Sequence, residues 1–123
     1  MKKIGLVLSG GGVKGMAHIG LLQALEEHNI EISSLSGASA GALVGVLYAA
    51  GISPQNILKF HEENSLFNLS YYNRFGAGLL NSVRYQEYYK DYIPENSFEA
   101  LKKKLYISTT DLEHGKYVIH SSG

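Results

Sequence analysis

The chain has 123 residues, 45% of them hydrophobic, so it is the size of one small domain or part of one and can bury a core. Eleven basic and eleven acidic residues cancel, which excludes an overall electrostatic field that would favour nucleic acid as a partner. The absence of cysteine excludes disulfides, thiolate metal sites and a cysteine nucleophile. We therefore expect neither nucleic-acid binding nor thiol chemistry.

The first residues resemble a secretory signal, but we interpret them as a strand. Their apolar run at 4–8 is shorter than a hydrophobic signal region of roughly 7 to 15 residues. The longest apolar stretch ends at Gly51 and Pro54, well short of the roughly 20 residues that span a bilayer. We expect no signal peptide, no transmembrane helix and a cytoplasmic location, with any membrane contact being peripheral.

The first half of the chain predicts alternating strands and helices. The apolar run at 4–8 ends in glycines and suits a strand that is buried on both faces of a parallel sheet. Helical spacing of apolar residues begins at Lys14, and a second apolar alternation at 30–35 predicts another strand. The almost wholly apolar segment 40–50, stopped by Gly51, predicts a central buried helix. This order is a βαβα unit, so the predicted fold class is α/β.

The second half of the chain is less regular. Ser53 and Pro54 have the residue types of an N-cap and a first helical position, and a short amphipathic helix is predicted to follow. Residues 64–81 predict a loop with helical pieces. Tyrosines spaced three and four apart predict a helix over 83–93. Core packing is the expected role of the tyrosines between Tyr71 and Tyr92, with an acyl-binding groove as the alternative. Two β-rich runs within 105–120 predict a hairpin.

The sequence GASAG lies between the second predicted strand and the buried helix. A Gly-x-Ser-x-Gly in this position is what a nucleophile elbow requires, because its serine occupies a tight and strained turn. Gly37 and Gly41 would avoid clashes there, while the small Ala38 and Ala40 leave room for a substrate carbonyl. The dipole of the following helix points at the site. We therefore predict that Ser39 is an exposed nucleophile.

A glycine-rich loop lies between the first strand and the first helix. It comprises Gly10, Gly11, Gly12, Val13, Lys14 and Gly15. A dinucleotide fingerprint would need an acidic residue about 20 positions later, and a P-loop would need Lys-Ser or Lys-Thr where Met16 and Ala17 stand. An oxyanion hole needs only backbone N–H groups, which consecutive glycines supply. Parallel strands would place Gly11 and Gly12 beside Ser39.

These motifs together carry a family resemblance. SGGGVKGMAHIGLLQALEE and LSGASAGALVGVLYAAG resemble the start of the patatin-like phospholipase family, and STTDLEHGKYVIHSSG resembles its later strand pair. The resemblance implies that residues 1–123 are the N-terminal part of a three-layer α/β/α sandwich with a mainly parallel sheet. It also implies a lipid acyl hydrolase with a Ser-Asp dyad, with Ser39 as nucleophile and 10–15 as oxyanion loop. Lys14 stands where the family more often has arginine.

The aspartate of that dyad lies, by the same resemblance, in an Asp-Gly-Gly or Asp-Gly-Ala turn. This chain contains no Asp-Gly pair, so we expect the aspartate to come from a missing C-terminal segment or from a partner chain. Asp111 matches the strand region that precedes that turn, and we assign it to structure. His18 follows the glycine loop by one helical turn and is assigned to capping or packing rather than to catalysis. No grouping of histidines predicts a metal site.

The predicted function is hydrolysis of a lipid ester by Ser39, at a membrane surface and without a cofactor. Two alternatives stay open. The chain could be a catalytically inactive, truncated homologue, or it could be a regulatory or binding module that uses the glycine-rich loop for a nucleotide or a phosphate. The missing ribose-binding acid and the missing P-loop Lys-Ser or Lys-Thr count against the last alternative.

Overall fold

A computed structural model describes residues 2–64 and 82–123, so most of the predicted loop at 64–81 lies outside the described residues. The strands in this part of the chain are β1 (Lys2–Leu8), β2 (Ile30–Ala38), β3 (Lys104–Asp111) and β4 (Lys116–His120). The α-helices are α1 (Ala17–Glu27), α2 (Ala40–Ala49), α3 (Pro54–Glu63) and α4 (Ser82–Tyr89). Short 3-10 helices occupy Gly12–Met16 and Phe98–Ala100.

The four strands form one sheet in the order β1-β2-β3-β4. The first three strands are parallel and β4 runs antiparallel to β3, which confirms the α/β class, the mainly parallel sheet and the predicted hairpin. Leu8 pairs with Gly37, and Ala38 pairs with Ser108. Because parallel strands end at the same edge, the glycine loop after β1 lies beside the turn after β2.

The core lies between one face of this sheet and the helices. Leu6, Leu35 and Leu105 form a row across β1, β2 and β3 by their pairing. Leu35 and Leu105 are buried with Val44 and Leu47 of α2 in one apolar cluster. Full burial of one such side chain contributes about 1.5 to 3 kcal/mol, so this cluster fixes α2 across the centre of the sheet.

The opposite face of the sheet is open in the part of the chain that the structure describes. Leu8 is 1% exposed, whereas its neighbour Val7, which points to the other face, is 78% exposed. Ile119, on the same face by its pairing with Ser108, is 54% exposed. The prediction that β1 is buried on both faces is therefore wrong for the described residues, because their helices all pack on one side. They supply the sheet and one helical layer.

Helix α2 is held at both ends. Its first turn begins when the Ser39 carbonyl accepts the N–H groups of Ala42 and Leu43 at 2.9 and 3.1 Å. At its C-terminal end, the Ala49 carbonyl accepts the N–H groups of Lys102 and Lys103 at 2.8 and 3.1 Å. Seven of its ten residues are buried, as predicted for a central helix.

The two helices predicted in the second half are present. The Ser53 hydroxyl accepts the N–H of Asn56 at 3.4 Å and caps α3, with proline in the first turn as predicted. Helix α4 ends at Tyr89, four residues before the predicted end. Pro94 disfavours helical geometry at the preceding Ile93, so the helix cannot continue beyond the turn that follows Tyr89. In that turn the Tyr89 carbonyl accepts the N–H groups of both Tyr92 and Ile93, at 3.0 and 2.9 Å.

Only some of the tyrosines in α4 and in the turn after it pack in the core. The rings of Tyr89 and Tyr92 meet Phe60 of α3 edge to face, with centroids 5.0 and 5.2 Å apart. Burial raises the pKa of Tyr89 above its ordinary value, so its hydroxyl stays protonated even in alkaline solution where an exposed tyrosine ionises. Tyr88 is 38% exposed. The tyrosines therefore do not all serve the core.

His61 of α3 is a buried histidine that makes the free energy of unfolding depend on pH. It is 7% exposed, and neither ring nitrogen has a hydrogen-bond partner in the described ranges. Burial lowers its pKa from 6.5 to about 4. Between pH 6.5 and pH 4 the unfolded chain therefore binds more protons than the folded chain does. The free energy of unfolding is highest above pH 6.5 and falls as the pH drops towards 4.

We expect this histidine to make the protein about 2 kcal/mol less stable at pH 5 than at pH 7.5, apart from other groups. Urea unfolding at the two pH values measures the difference. His61→Leu should remove this part of the pH dependence. His28→Leu, at the exposed end of α1, should keep it. Equal pH dependence in the wild type and His61→Leu would contradict the assignment.

Candidate active site

Ser39 occupies a strained turn between β2 and α2. Its backbone has φ 52° and ψ −124°, a conformation that residues with a side chain rarely adopt. The other described non-glycine residues with positive φ are Asn29 and Asn96, and asparagine tolerates this region better than serine does. Such a conformation costs about 1 to 3 kcal/mol and persists only where the surrounding structure enforces it.

Two glycines enforce the turn through close backbone contacts. A Cβ on Gly37 would lie 2.7 Å from the backbone nitrogen and Cα of Ala42. A Cβ on Gly41 would overlap the backbone carbonyl of Leu8 and lie 2.7 Å from the Ser9 carbonyl oxygen. The start of α2 therefore rests directly on the end of β1, and only glycine permits this approach at either position.

The side chain of Ser39 is exposed although its neighbours in the turn are not. Gly37, Ala40 and Gly41 are buried, and Ala38 is half-buried. The Ser39 hydroxyl does not cap α2. Within residues 2–64 and 82–123, it has no hydrogen bond to a histidine or a carboxylate. It therefore stands at the positive end of the α2 dipole with its oxygen available to a ligand.

The glycine-rich loop lies against Ser39 at one end and against the adjacent Ala40 at the other. A Cβ on Gly10 would lie 3.2 Å from the Ser39 Cβ and 3.8 Å from its Oγ. A Cβ on Gly15 would lie 2.5 Å from the Ala40 Cβ. Between them, Gly12 has φ 58°, a left-handed conformation that glycine adopts without strain. The two glycine motifs thus form one contiguous site.

Residues 6–120 match the patatin-like phospholipase family. The chain belongs to this family. It is 31% identical over 131 residues to a patatin-like phospholipase domain-containing protein of Caenorhabditis elegans, covering 98% of this chain and 9% of that protein. This bears out the family resemblance carried by the two glycine motifs.

Two fungal relatives carry the name lysophospholipase. The protein from Pyricularia oryzae is 31% identical over 138 residues, covering 99% of this chain and 8% of the relative. The protein from Cryptococcus neoformans is 58% identical over 48 residues, covering 39% of this chain and 3% of the relative. The chain thus spans less than a tenth of the length of these relatives.

The local structure of the glycine-rich loop differs from the prediction. A continuous helix was expected from Lys14, but a 3-10 helix occupies Gly12–Met16, and the Lys14 N–H donates to the Gly11 carbonyl at 3.1 Å. The tighter winding accompanies the close packing of Gly15 on α2. Val13 and Lys14 carry exposed side chains, with Val13 63% exposed. A Cβ added to Gly10 would meet Ser39, a neighbour that the sequence alone did not single out.

His18 helps to position the glycine-rich loop. It lies in the first turn of α1, and its Nε2 is 2.8 Å from the carbonyl oxygen of Ser9, the residue before the loop. This contact connects α1 to the end of β1. It agrees with the structural role expected from the sequence.

Asp111 has a structural role in the hairpin turn. Its carboxylate accepts the N–H groups of Glu113 and His114 at 3.0 and 3.2 Å and contacts the His114 Nδ1 at 2.7 Å. The hydrogen bond from the His114 side chain is the main reason that the pKa of Asp111 is lowered. Ser108 pairs with Ala38, so Asp111 lies three residues, or roughly 10 Å, further along β3 than the elbow.

Residues 2–64 and 82–123 contain neither a metal-binding cluster nor a membrane-spanning helix. No group of three His, Asp or Glu side chains there is placed to hold a metal ion. No helix there combines the length and hydropathy needed to cross a bilayer. The cytoplasmic location remains a prediction.

Proposed function

We propose that this chain supplies the nucleophile and the oxyanion hole of a lipid-ester hydrolase. The observation that supports this most strongly is the exposed Ser39 in its strained turn, packed against the glycine-rich loop at the start of α2. A strained serine at a helix N-terminus beside a glycine loop is the arrangement that acyl transfer uses. Membership of the patatin-like phospholipase family supports the same reaction class.

In the proposed acylation step, the Ser39 oxygen attacks the ester carbonyl carbon while an aspartate outside this chain accepts the hydroxyl proton. The aspartate comes from a C-terminal segment or a partner chain. Backbone N–H groups of Gly11 and Gly12 stabilise the oxyanion, and loss of one such donor typically costs about 3 to 4 kcal/mol. The intermediate then collapses, and the leaving alcohol takes the proton.

In the proposed deacylation step, water attacks the acyl-serine carbonyl and gives its proton to the same aspartate. The second tetrahedral intermediate releases a fatty acid, and the proton returns to the Ser39 oxygen. The cycle therefore consumes one water for each ester and needs no metal or redox cofactor.

We propose a lysophospholipid at a membrane surface as the substrate. The name lysophospholipase is that of the fungal relatives, and it supports this class for the present chain. The full-length protein should release a fatty acid from a lysophospholipid, as measured by mass spectrometry of the products. Ser39→Ala should abolish release, whereas Asp111→Asn should change it by no more than about twofold. Undiminished release by Ser39→Ala would overturn the proposal.

A further inference from the structure

A groove of about 570 Å³ lies between α2 and the segment formed by α4 and the turn after it. Its apolar lining includes Leu43, Val46, Val83, Tyr89, Ile93 and Pro94. The polar lining residues Gln86, Glu87 and Lys90 are exposed and lie at its mouth together with Val83, which is 63% exposed. An apolar interior with a polar rim suits a ligand with an apolar body and a polar end.

The groove is aligned with Ser39 along α2. Leu43 and Val46 are spaced i and i+3, so they lie on one face of α2, and Ser39 is the N-cap at the start of the same helix. With a rise of 1.5 Å per residue, Leu43 lies about 6 Å and Val46 about 10 Å along the axis from Ser39. The groove therefore begins about one helical turn from the candidate nucleophile and runs away from it.

The wall of the groove opposite α2 is fixed by Tyr89. Its protonated hydroxyl donates to the Leu43 carbonyl at 3.4 Å, and its ring packs on Phe60 of α3. These contacts connect α4 to both α2 and α3. Tyr89 thus bridges the two walls of the groove.

We propose that this groove binds the acyl chain of the ester that Ser39 attacks, and that Leu43 and Val46 determine which chain lengths are accepted. The inference rests on the proposed function. A chain bonded to a carbonyl at Ser39 enters the groove at Leu43 and reaches Val46 only when it is long enough. Burial of its methylene groups against apolar walls is favourable and increases with the area covered.

The test uses the full-length protein and p-nitrophenyl acetate, octanoate and palmitate. Leu43→Trp should lower the palmitate-to-acetate and octanoate-to-acetate ratios of kcat/KM at least about tenfold, because a bulky side chain blocks a hydrophobic pocket. Val46→Trp, further from Ser39, should lower the palmitate ratio more than the octanoate ratio. Leu58→Trp is the matched control, since Leu58 is 43% exposed on α3 and does not line the groove.

Gln86→Trp fills the mouth of the groove from the solvent side without entering the core, and it should also lower the palmitate ratio. Ser39-dependent hydrolysis with ratios unchanged in the Leu43, Val46 and Gln86 variants would overturn the acyl groove and leave the proposed function standing. An equal fall in Leu58→Trp would overturn it as well. The absence of Ser39-dependent hydrolysis of every ester would overturn both.

Discussion

Replacing Ser39 with alanine or with glycine is expected to lower ester hydrolysis by several powers of ten, while the two variants differ in stability. Both lose the nucleophile. Only glycine adopts φ 52° without strain, and it is also the better helix N-cap, so Ser39→Gly should be about 1 kcal/mol more stable than Ser39→Ala. Measurements of kcat/KM and of urea unfolding on the same preparations test both parts.

Ser36 provides the matched control for this pair, because it lies within β2 and its φ is not positive. There the order should reverse, since glycine weakens a strand interior. If Ser39→Ala proved as stable as Ser39→Gly, the strained turn would be absent and the elbow geometry would be wrong.

Gly41→Ala is expected to destabilise the protein by at least about 3 kcal/mol, because the added methyl group would overlap the Leu8 carbonyl. This backbone cannot move without separating α2 from β1. Gly45→Ala, one turn later on the same helix, should instead stabilise by about 0.5 to 1 kcal/mol. Its methyl group would make ordinary contacts with Leu8 and Leu105 at 3.6 and 3.7 Å.

Urea unfolding of the two glycine variants gives opposite signs if α2 rests on β1 as described. Similar small changes in both would contradict the close approach at Gly41. Loss of Ser39 reactivity in Gly41→Ala but not in Gly45→Ala would further connect that approach to the geometry of the site.

The elements around the elbow could be predicted because their signals are local. The apolar run of β1, the glycines after it and the apolar segment that became α2 each have a distinct composition. The Gly-x-Ser-x-Gly spacing likewise indicated a strained serine at position 39, and its φ of 52° agrees. The order of these signals along the chain was enough to predict an α/β fold.

Features that depend on pairing between distant segments could not be predicted. The contact of Gly10 with Ser39 follows from the register of β1 on β2, in which Leu8 pairs with Gly37. The exposure of Val7 depends on which elements cover each sheet face, and an apolar run carries no information about that.

The groove could not be predicted from the sequence either, and the reason is physical. Leu43 and Val46 appear in the sequence as ordinary core positions of an apolar helix. They line a groove because α4, about 40 residues later in the chain, packs beside α2 through the contact between Tyr89 and the Leu43 carbonyl. The sequence indicated the tyrosines of this region but not their partners on α2.

The most direct test of the central claim is labelling of the full-length protein with a fluorophosphonate, followed by mass spectrometry of the digested product. We predict an adduct on Ser39 that is absent from Ser39→Ala and present in Asp111→Asn. A failure to label Ser39, with labelling intact in a known serine hydrolase treated in parallel, would contradict its role as the nucleophile.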